Sequence, residues 1–463
     1  MRPLQGEHVA SAAAYADKWL GYQQRTRQIP GLTAIVRHDG VPLVQSAHGL
    51  ADLERGTAMS PETMFRVASN SKMLTSTMVA QLVEQGRLRY DDRLGDHLPW
   101  LPAASGMRAV TLRELLGHAS GVFRDGRSAD FWQLDGEFPD HGVLRGWLSE
   151  DPQVLPANDR FKYSNVGYAL LGQVVEHVTR MSYAHLLSVA IARPLDLADT
   201  GADLDEHAAA RLATGYTSSR DGMSRLPLPH ASTGAYAPAT GCYSTADELS
   251  RFADAHCLGV PGLLSDESKR AMHQPHWEVE GEPQRYGLGF QCFDVGGRRL
   301  VGHGGAFPGF ITATRLDPAE RLVVVVLTNA IDAPAAELAC GVVLLVNMAH
   351  EVADSLDVVD ASADRFVGRF YSMWGVTDVV RLGSRLVAVD LDRLDPTDHL
   401  TVLRPVSEDE LEIVSTSGMR YPGERVRYSF EADGSVSSVR FGAQTLLPVE
   451  GFRATPYAGR PER

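Results

Sequence analysis

The stretch FRVASNSKMLTS (residues 65–76) places Ser69 and Lys72 three residues apart where a helix begins. From 70 to 87, the positions Met73, Leu74, Thr77, Met78, Leu82 and Val83 form a helical stripe that Gly86 ends. Residues i and i+3 share a helix face, with Cβ atoms about 5–6 Å apart. A hydroxyl in the first turn lies near free N–H groups and the positive end of the helix dipole, so an oxyanion forming there is stabilised. A desolvated lysine beside it can have its pKa lowered until it accepts the serine proton. A four-residue pattern with two fixed positions also recurs by chance. The competing account is a plain N-cap with an exposed lysine.

Working outward, residues 8–28 read as a helix, and LTAIVRHDGVPLVQSAHG (32–49) as a hairpin turning at Asp39-Gly40. TLRELLGHASG (111–121) has a Thr N-cap signal and a Gly stop, and NVGYALLGQVVEHVTR (165–180) is a long amphipathic helix. Strands return at 283–329, with hairpins through Gly296-Gly297 and Asp317-Pro318, before a helix over 334–352. The pattern predicts an α+β domain over 1–352. One antiparallel sheet is assembled from both ends of that segment and flanked by helices, with an all-helical lobe at about 88–240. An acidic linker follows at 353–364. In the C-terminal domain, 365–463, residues 365–452 show strand-like runs with turns at Gly383, Pro396, Gly418, Gly423 and Asp433-Gly434, the pattern of a small all-β barrel or sandwich.

Two further clusters bear on Ser69 and Lys72. FKYSNVGY (161–168) offers Tyr163 and Asn165 just before the long helix. One account makes Asn165 an N-cap and Tyr163 a packing ring. The other has the phenol pass a proton between Ser69 and a leaving group, with Asn165 holding Lys72 or a substrate carbonyl. LVGHGGAFPGF (300–310) puts His303, Gly304 and Gly305 on a strand, where glycines often mark close approach of a ligand to the backbone. The N–H of Ala306 is placed to donate to an oxyanion; the competing account is a sheet bend with a half-buried histidine. RDGRSADFWQLDGEFPD (124–140) is a loop whose Asp125, Trp132 and Phe138 are candidates to meet a cationic amine or an aromatic group, or simply pack.

S-x-x-K, Y-x-N and H-x-G therefore occur in that order, at a helix start, a loop and a strand. As a set they resemble the serine β-lactamase and penicillin-binding-protein superfamily. The resemblance spans roughly 10–350 and includes QLVEQGRLRYDDRLGDHLPWLP, TLRELLGHASG, FKYSNVGYALLG and TGCYSTADELSRFA. The Y-S-N form looks like class C β-lactamases, D-aminopeptidases and related esterases. Class C β-lactamases and transpeptidases carry Lys-Thr-Gly where this chain has His303-Gly304-Gly305. That lysine helps recognise a substrate carboxylate, and a titratable histidine is a weaker anchor. H-x-G is the pattern of the D-aminopeptidase, D-amino-acid amidase and esterase branch. The C-terminal module also looks like the lipocalin-like barrels of D-aminopeptidase-like proteins.

The resemblance implies a serine hydrolase working through an acyl-enzyme on D-amino-acid-containing peptides, amides or esters. Ser69 is the expected nucleophile, and Lys72 and Tyr163 share the base role. Asn165, His303, Gly304, Gly305 and Ala306 are expected to form the oxyanion and substrate-binding surface. A penicillin-binding-protein-type thioesterase or peptide cyclase, and a non-catalytic binder of peptidoglycan fragments, stay open. No metal or organic cofactor is expected.

Composition narrows the partners. The chain has 463 residues, 44% of them apolar and 22% charged, which is globular composition. A net charge of -14 disfavours nucleic acid or an anionic membrane surface. No apolar run reaches the ~20 residues of a membrane span, and no signal-like segment opens the sequence. The expectation is a cytoplasmic protein, with export of a processed form and homo-oligomerisation left open. Cys242, Cys257, Cys292 and Cys340 lack zinc-site spacing and are expected to be small hydrophobes.

Overall fold

A computed structural model of the chain describes residues 3–150, 152–219, 222–350, 358–417 and 421–454. The described chain divides into two compact units, Arg27–Ala339 and Met1–Thr26 with Cys340–Arg463.

In the first unit, β1 (Gly31–His38) and β2 (Val41–Asp52) form the predicted hairpin. Asp39 and Gly40 turn it with φ of 50° and 77°, the positive pair that matches the twist of the flanking strands. β3 (Thr57–Ala58) follows. After a long helical segment come β4 (Trp277–Glu278), β5 (Arg285–Tyr286), β6 (Gln291–Val295), β7 (Arg298–Phe307), β8 (Phe310–Asp317) and β9 (Leu322–Thr328). They build one nine-stranded sheet, β3-β2-β1-β9-β8-β7-β6-β5-β4, antiparallel throughout. The sheet joins its distant halves where β1 meets β9, from Leu32 opposite Thr328 to His38 opposite Leu322. Every residue of β1 and β9 is buried, so apolar alternation gives way to the continuous run LVVVVLT.

The helices carry their own start and stop signals. Counting α1 as Gly6–Thr26 of the second unit, α2 spans Ser71–Glu84 and stops ahead of Gly86, whose φ is +68°. Thr111 and Glu114 form a reciprocal capping box. α3 (Asn165–Thr179) is capped by Ser164, whose hydroxyl accepts from the Gly167 N–H; Asn165 is therefore not the N-cap. α4 (Ala246–Asp254) buries Leu249, Phe252 and Ala253 and packs on β1 and β9. α5 (Ala335–His350) is the predicted closing helix.

In the second unit, β10 (Gly368–Ser372), β11 (Gly375–Leu382), β12 (Arg385–Asp390), β13 (Thr401–Pro405), β14 (Glu410–Thr416), β15 (Arg425–Phe430), β16 (Val436–Phe441) and β17 (Gln444–Leu446) pair in sequential order. Tyr371 and Leu447 exchange two backbone hydrogen bonds of 2.8 and 3.0 Å, which brings the first strand back to the chain after the last. Phe370, Leu386, Leu403, Ile413, Val426, Tyr428 and Val439 fill the interior. α1 belongs here because its side chains bond to these strands. Tyr15 donates to Asp378 at 3.1 Å, Tyr22 to Asp392 at 2.7 Å and Gln23 to the Leu391 carbonyl at 2.7 Å. Of the expected linker, 353–357 lie outside the described residues, as does Gly418; Ala361–Phe366 form a 3₁₀ helix. All four cysteines are unpaired, three of them buried and Cys340 partly so.

Candidate active site

Ser69 sits in a 3₁₀ turn (Ala68–Asn70) that runs directly into α2, half-buried and open to a cavity. The turn is unusual backbone. Ala68 has φ +53°, a conformation that typically costs an L-residue ~1–3 kcal/mol. Its surroundings hold it there. The Ser71 hydroxyl donates to the Ala68 carbonyl at 2.6 Å and accepts from the Cys242 N–H at 3.0 Å. Asn70 donates to the Val67 carbonyl and to Thr312 Oγ1, each at 3.0 Å, and accepts from Thr314 Oγ1 at 2.8 Å. These bonds fasten the turn to β8. β7 runs alongside: a Cβ on Gly305 would stand 2.5 Å from the Val67 carbonyl oxygen and 2.9 Å from the Ala68 Cβ. Thr312 Oγ1 stands closer still to the same point, so the space beside this glycine is taken by β8 and the serine turn.

One distant segment and the following helix turn meet on the hydroxyl. The Tyr163 phenol donates to Ser69 Oγ at 2.9 Å, and Lys72 Nζ lies 3.2 Å from the same oxygen. Lys72 is wholly buried. Its Nζ also donates to Asn165 Oδ1 at 2.7 Å and to the Ala239 carbonyl at 2.8 Å. Both of those partners can only accept, so two of the amine's hydrogens are committed. The remaining direction, toward Ser69, holds either a third hydrogen or the lone pair.

Electrostatics separates the candidate bases. Burial holds the pKa of Lys72 well below the ordinary lysine range; Asp125 pulls it upward and Arg124 downward. The ammonium position lies 4.7 Å from the Tyr163 ring centroid and 5.4 Å from that of Tyr168. Burial moves Tyr163 the other way, raising its pKa although the contact with Ser69 lowers it. The phenol is therefore protonated and the amine is the group prepared to lose its proton.

His303 is buried on β7, beside Tyr163, with ring centroids 6.4 Å apart. Its Nδ1 faces the Gly304 carbonyl, which only accepts, so the hydrogen is assigned to Nδ1. Nε2 then accepts from the Tyr286 hydroxyl at 3.0 Å. Burial first, and the charge of Lys72 second, bring its pKa down to about 3. Both nitrogens of this imidazole are thus occupied, one by the Gly304 carbonyl and one by the Tyr286 hydroxyl, and its basicity is depressed.

The cavity has a volume of about 570 Å³, a common size for a small-molecule site. Ser69, Tyr163, Asn165, His303, Gly304, Gly305 and Ala306 line it, so all the predicted site residues except buried Lys72 face one space. Trp132, Phe307, Pro308, Ile311 and Ile331 give it an apolar side. Asp125 and Trp132 of the aromatic loop also reach it, whereas Phe138 is buried behind, stacked on Phe307 at 5.9 Å. Among the described residues, no group of three His, Cys, Asp or Glu is arranged to hold a metal ion.

Two contributors gave no readable signal. Gln291, on β6, accepts the Gly304 N–H at 2.8 Å and lines the cavity. His118 is wholly buried with φ +58° and accepts the Ser164 N–H at 3.1 Å. Its ring lies 4.2 Å from that of Tyr163 and 4.7 Å from that of Tyr286, a support for the phenol. Burial pushes its pKa well down, so it supports as a neutral ring. It lies inside GHASG, but only the fold shows what it touches.

The family described as Beta-lactamase matches residues 16–341, most of the chain. The chain belongs to the beta-lactamase family. Protein flp of Staphylococcus aureus (strain N315) is 25% identical over 321 residues, 68% of this chain and 62% of flp, so this beta-lactamase-family chain spans less than two thirds of that relative. Among solved structures, the octameric penicillin-binding protein homologue from Pyrococcus abyssi is similar with a TM-score of 0.65 at 20% identity, over 94% of this chain and 99% of the other. The D-amino acid amidase from Ochrobactrum anthropi SV3 is similar with a TM-score of 0.62 at 21% identity, over 73% and 99%. Among the described residues of this beta-lactamase-family chain, no helix is long and apolar enough to cross a membrane.

Proposed function

We propose that the chain is a serine hydrolase that cleaves amide or ester bonds through an acyl-enzyme on Ser69. The observation that carries this is the double contact on one oxygen: Tyr163 at 2.9 Å and Lys72 at 3.2 Å from Ser69 Oγ, at the wall of an open cavity. A side chain 94 residues away in sequence and a buried amine meet on a half-exposed hydroxyl, which a mere N-cap does not need.

In the first step Ser69 Oγ attacks the substrate carbonyl and its proton passes to Lys72 Nζ. The lowered pKa of Lys72 and the raised pKa of Tyr163 favour the amine as first acceptor. The N–H groups of Ser69 and Ala306 receive the oxyanion, each worth roughly 3–4 kcal/mol in comparable sites. Asn165 keeps Lys72 in place. Collapse breaks the bond to the leaving group, which takes a proton from Tyr163; the phenol is refilled from Lys72. Water then repeats the sequence in reverse and frees the acid and Ser69.

For the acyl group we propose D-amino-acid-containing peptides, amides or esters. The similarity to the D-amino acid amidase and the neutral, fully bonded His303 support that class over substrates held by a carboxylate anchor. The likeness to an octameric homologue supports a homo-oligomer, which light scattering on the purified chain tests.

The deciding experiment exposes the chain to a fluorophosphonate and to a panel of D- and L-aminoacyl amides and esters, with mass analysis. A shift on the Ser69 peptide, absent in Ser69→Ala, is expected. A shift on another residue, or none, overturns the assignment and favours a binding role.

A further inference from the structure

Asn165 has to face the right way. A carboxamide is nearly symmetric in shape, and only its neighbours decide which end is oxygen. Its neighbours here are Lys72 Nζ, 2.7 Å from one end, and Asp125 Oδ1, 2.6 Å from the other. A carboxylate accepts and cannot donate, so the NH₂ end must lie on Asp125 and the oxygen on the amine. Reversed, the amide would set an NH₂ against the lysine hydrogens and an oxygen against the carboxylate.

Asp125 is itself held. The Arg124 carbonyl accepts from the N–H groups of Asn165 at 2.9 Å and Val166 at 3.2 Å, and the Ser164 hydroxyl donates to the Phe123 carbonyl at 2.8 Å. These bonds fasten the segment 123–125 to the Tyr163–Asn165 segment. The second carboxylate oxygen of Asp125 lies 3.1 Å from Arg124 Nε, and the side chain is only 13% exposed although it lines the cavity. Nothing in the acyl-transfer scheme uses this carboxylate.

We propose that Asp125 is a positioning residue: by dictating the orientation of the Asn165 carboxamide, it holds the Lys72 amine on Ser69. The inference rests on the serine-hydrolase reading above. It extends that reading to a residue outside the three motifs.

The role has a second signature. The groups that face the Lys72 amine are Asp125 and Arg124 from the loop, Tyr163 just ahead of α3 and Tyr168 within it, and the neutral rings of His118 and His303. Asp125 is the one among them whose charge favours the ammonium form. Removing it therefore makes the amine easier to deprotonate. The acid limb of kcat/KM, on which the base must lose its proton, moves to lower pH.

The test uses the full chain and a neutral p-nitrophenyl ester. Asp125→Ala is expected to lower kcat roughly 10- to 100-fold, the scale of a small misplacement of a catalytic group, with KM changed less than about 3-fold. Its acid limb is expected to move to lower pH. The isosteric Asp125→Asn, which keeps the packing if the alanine variant does not fold, is expected to show the same displacement of the limb with a smaller fall in kcat. An unchanged kcat in a folded variant overturns the proposal. So does a loss of activity with the limb unmoved, because a merely structural role lowers the amount of active enzyme without retuning Lys72. A wild-type chain that cleaves no ester and takes no label on Ser69 sinks the hydrolase reading and this inference with it. An active wild type with indifferent Asp125 variants sinks the inference alone.

Discussion

Two lysines of the first unit are fully buried, and they differ in what surrounds them. Lys269 donates to the carbonyls of Cys257 and Val260 and lies 3.7 Å from Asp266. Lys72 donates to Asn165 and the Ala239 carbonyl, and its third neighbour is the Ser69 hydroxyl. Burial depresses both pKa values. Around Lys269 every neighbour can only accept, one of them is an anion, and the ammonium is held in place. Around Lys72 one neighbour has a proton to give, and a cavity opens beside it. Burial and a lowered pKa are therefore common to both amines; what sets Lys72 apart, and supports the proposed role, is a donor hydroxyl within reach that faces an open cavity.

The largest effect that would sharpen this contrast is on turnover. Ser69→Ala and Lys72→Ala should each reduce p-nitrophenyl ester hydrolysis by more than about 10³-fold, and the double variant should be little worse than either. Lys269→Ala should leave kcat per folded molecule within about 2-fold. Its orphaned carbonyls, at ~1–3 kcal/mol each, should instead lower the melting temperature by several degrees. Loss of activity in the Lys269 variant at full stability would break the comparison. Tyr163→Phe should come next, with kcat down roughly 10²–10³-fold, because a protonated phenol serves as donor to the leaving group. A rate unchanged in steady-state assays would remove it from the scheme.

A third check is pH. A base works deprotonated, so kcat/KM should rise with pH as Lys72 loses its proton. Since burial lowers that titration, the rise should be complete below the range of an ordinary lysine. A pH-rate profile still climbing near pH 10 would mean that the amine is not depressed. Smallest is Gly305→Ala, whose added Cβ presses on the serine turn. It should cost ~1–3 kcal/mol of stability in a denaturant titration and trim kcat without abolishing it.

Much of this was legible beforehand. The Asp39-Gly40 hairpin and the buried LVVVVLT strand carry local signals that hydrophobic period and turn chemistry suffice to place, whereas the three motifs were read as one site only through their joint resemblance to a known family. Asn165 against Ser164 as the cap was not legible, because two adjacent polar residues offer the same capping chemistry and only the backbone chooses. His118 and the Ala239 carbonyl were not legible as parts of the site, and Asp125 was legible as a pocket candidate but not as the partner of Asn165, since each acts through a contact with no spacing rule. The contacts of α1 with Asp378 and Asp392 were not legible either, since they join residues more than 360 positions apart.

The bonds from Asn70 to Thr312 and Thr314 have a consequence for synthesis. They span 242 and 244 residues, so a ribosome making roughly 5–20 residues per second needs about 10–50 s between the two ends. Throughout that interval the nascent polypeptide holds the Ser69 turn without the brace that shapes it. Catalytic competence should thus arrive abruptly and late, and products of premature termination before β8 should be inert whatever motifs they contain.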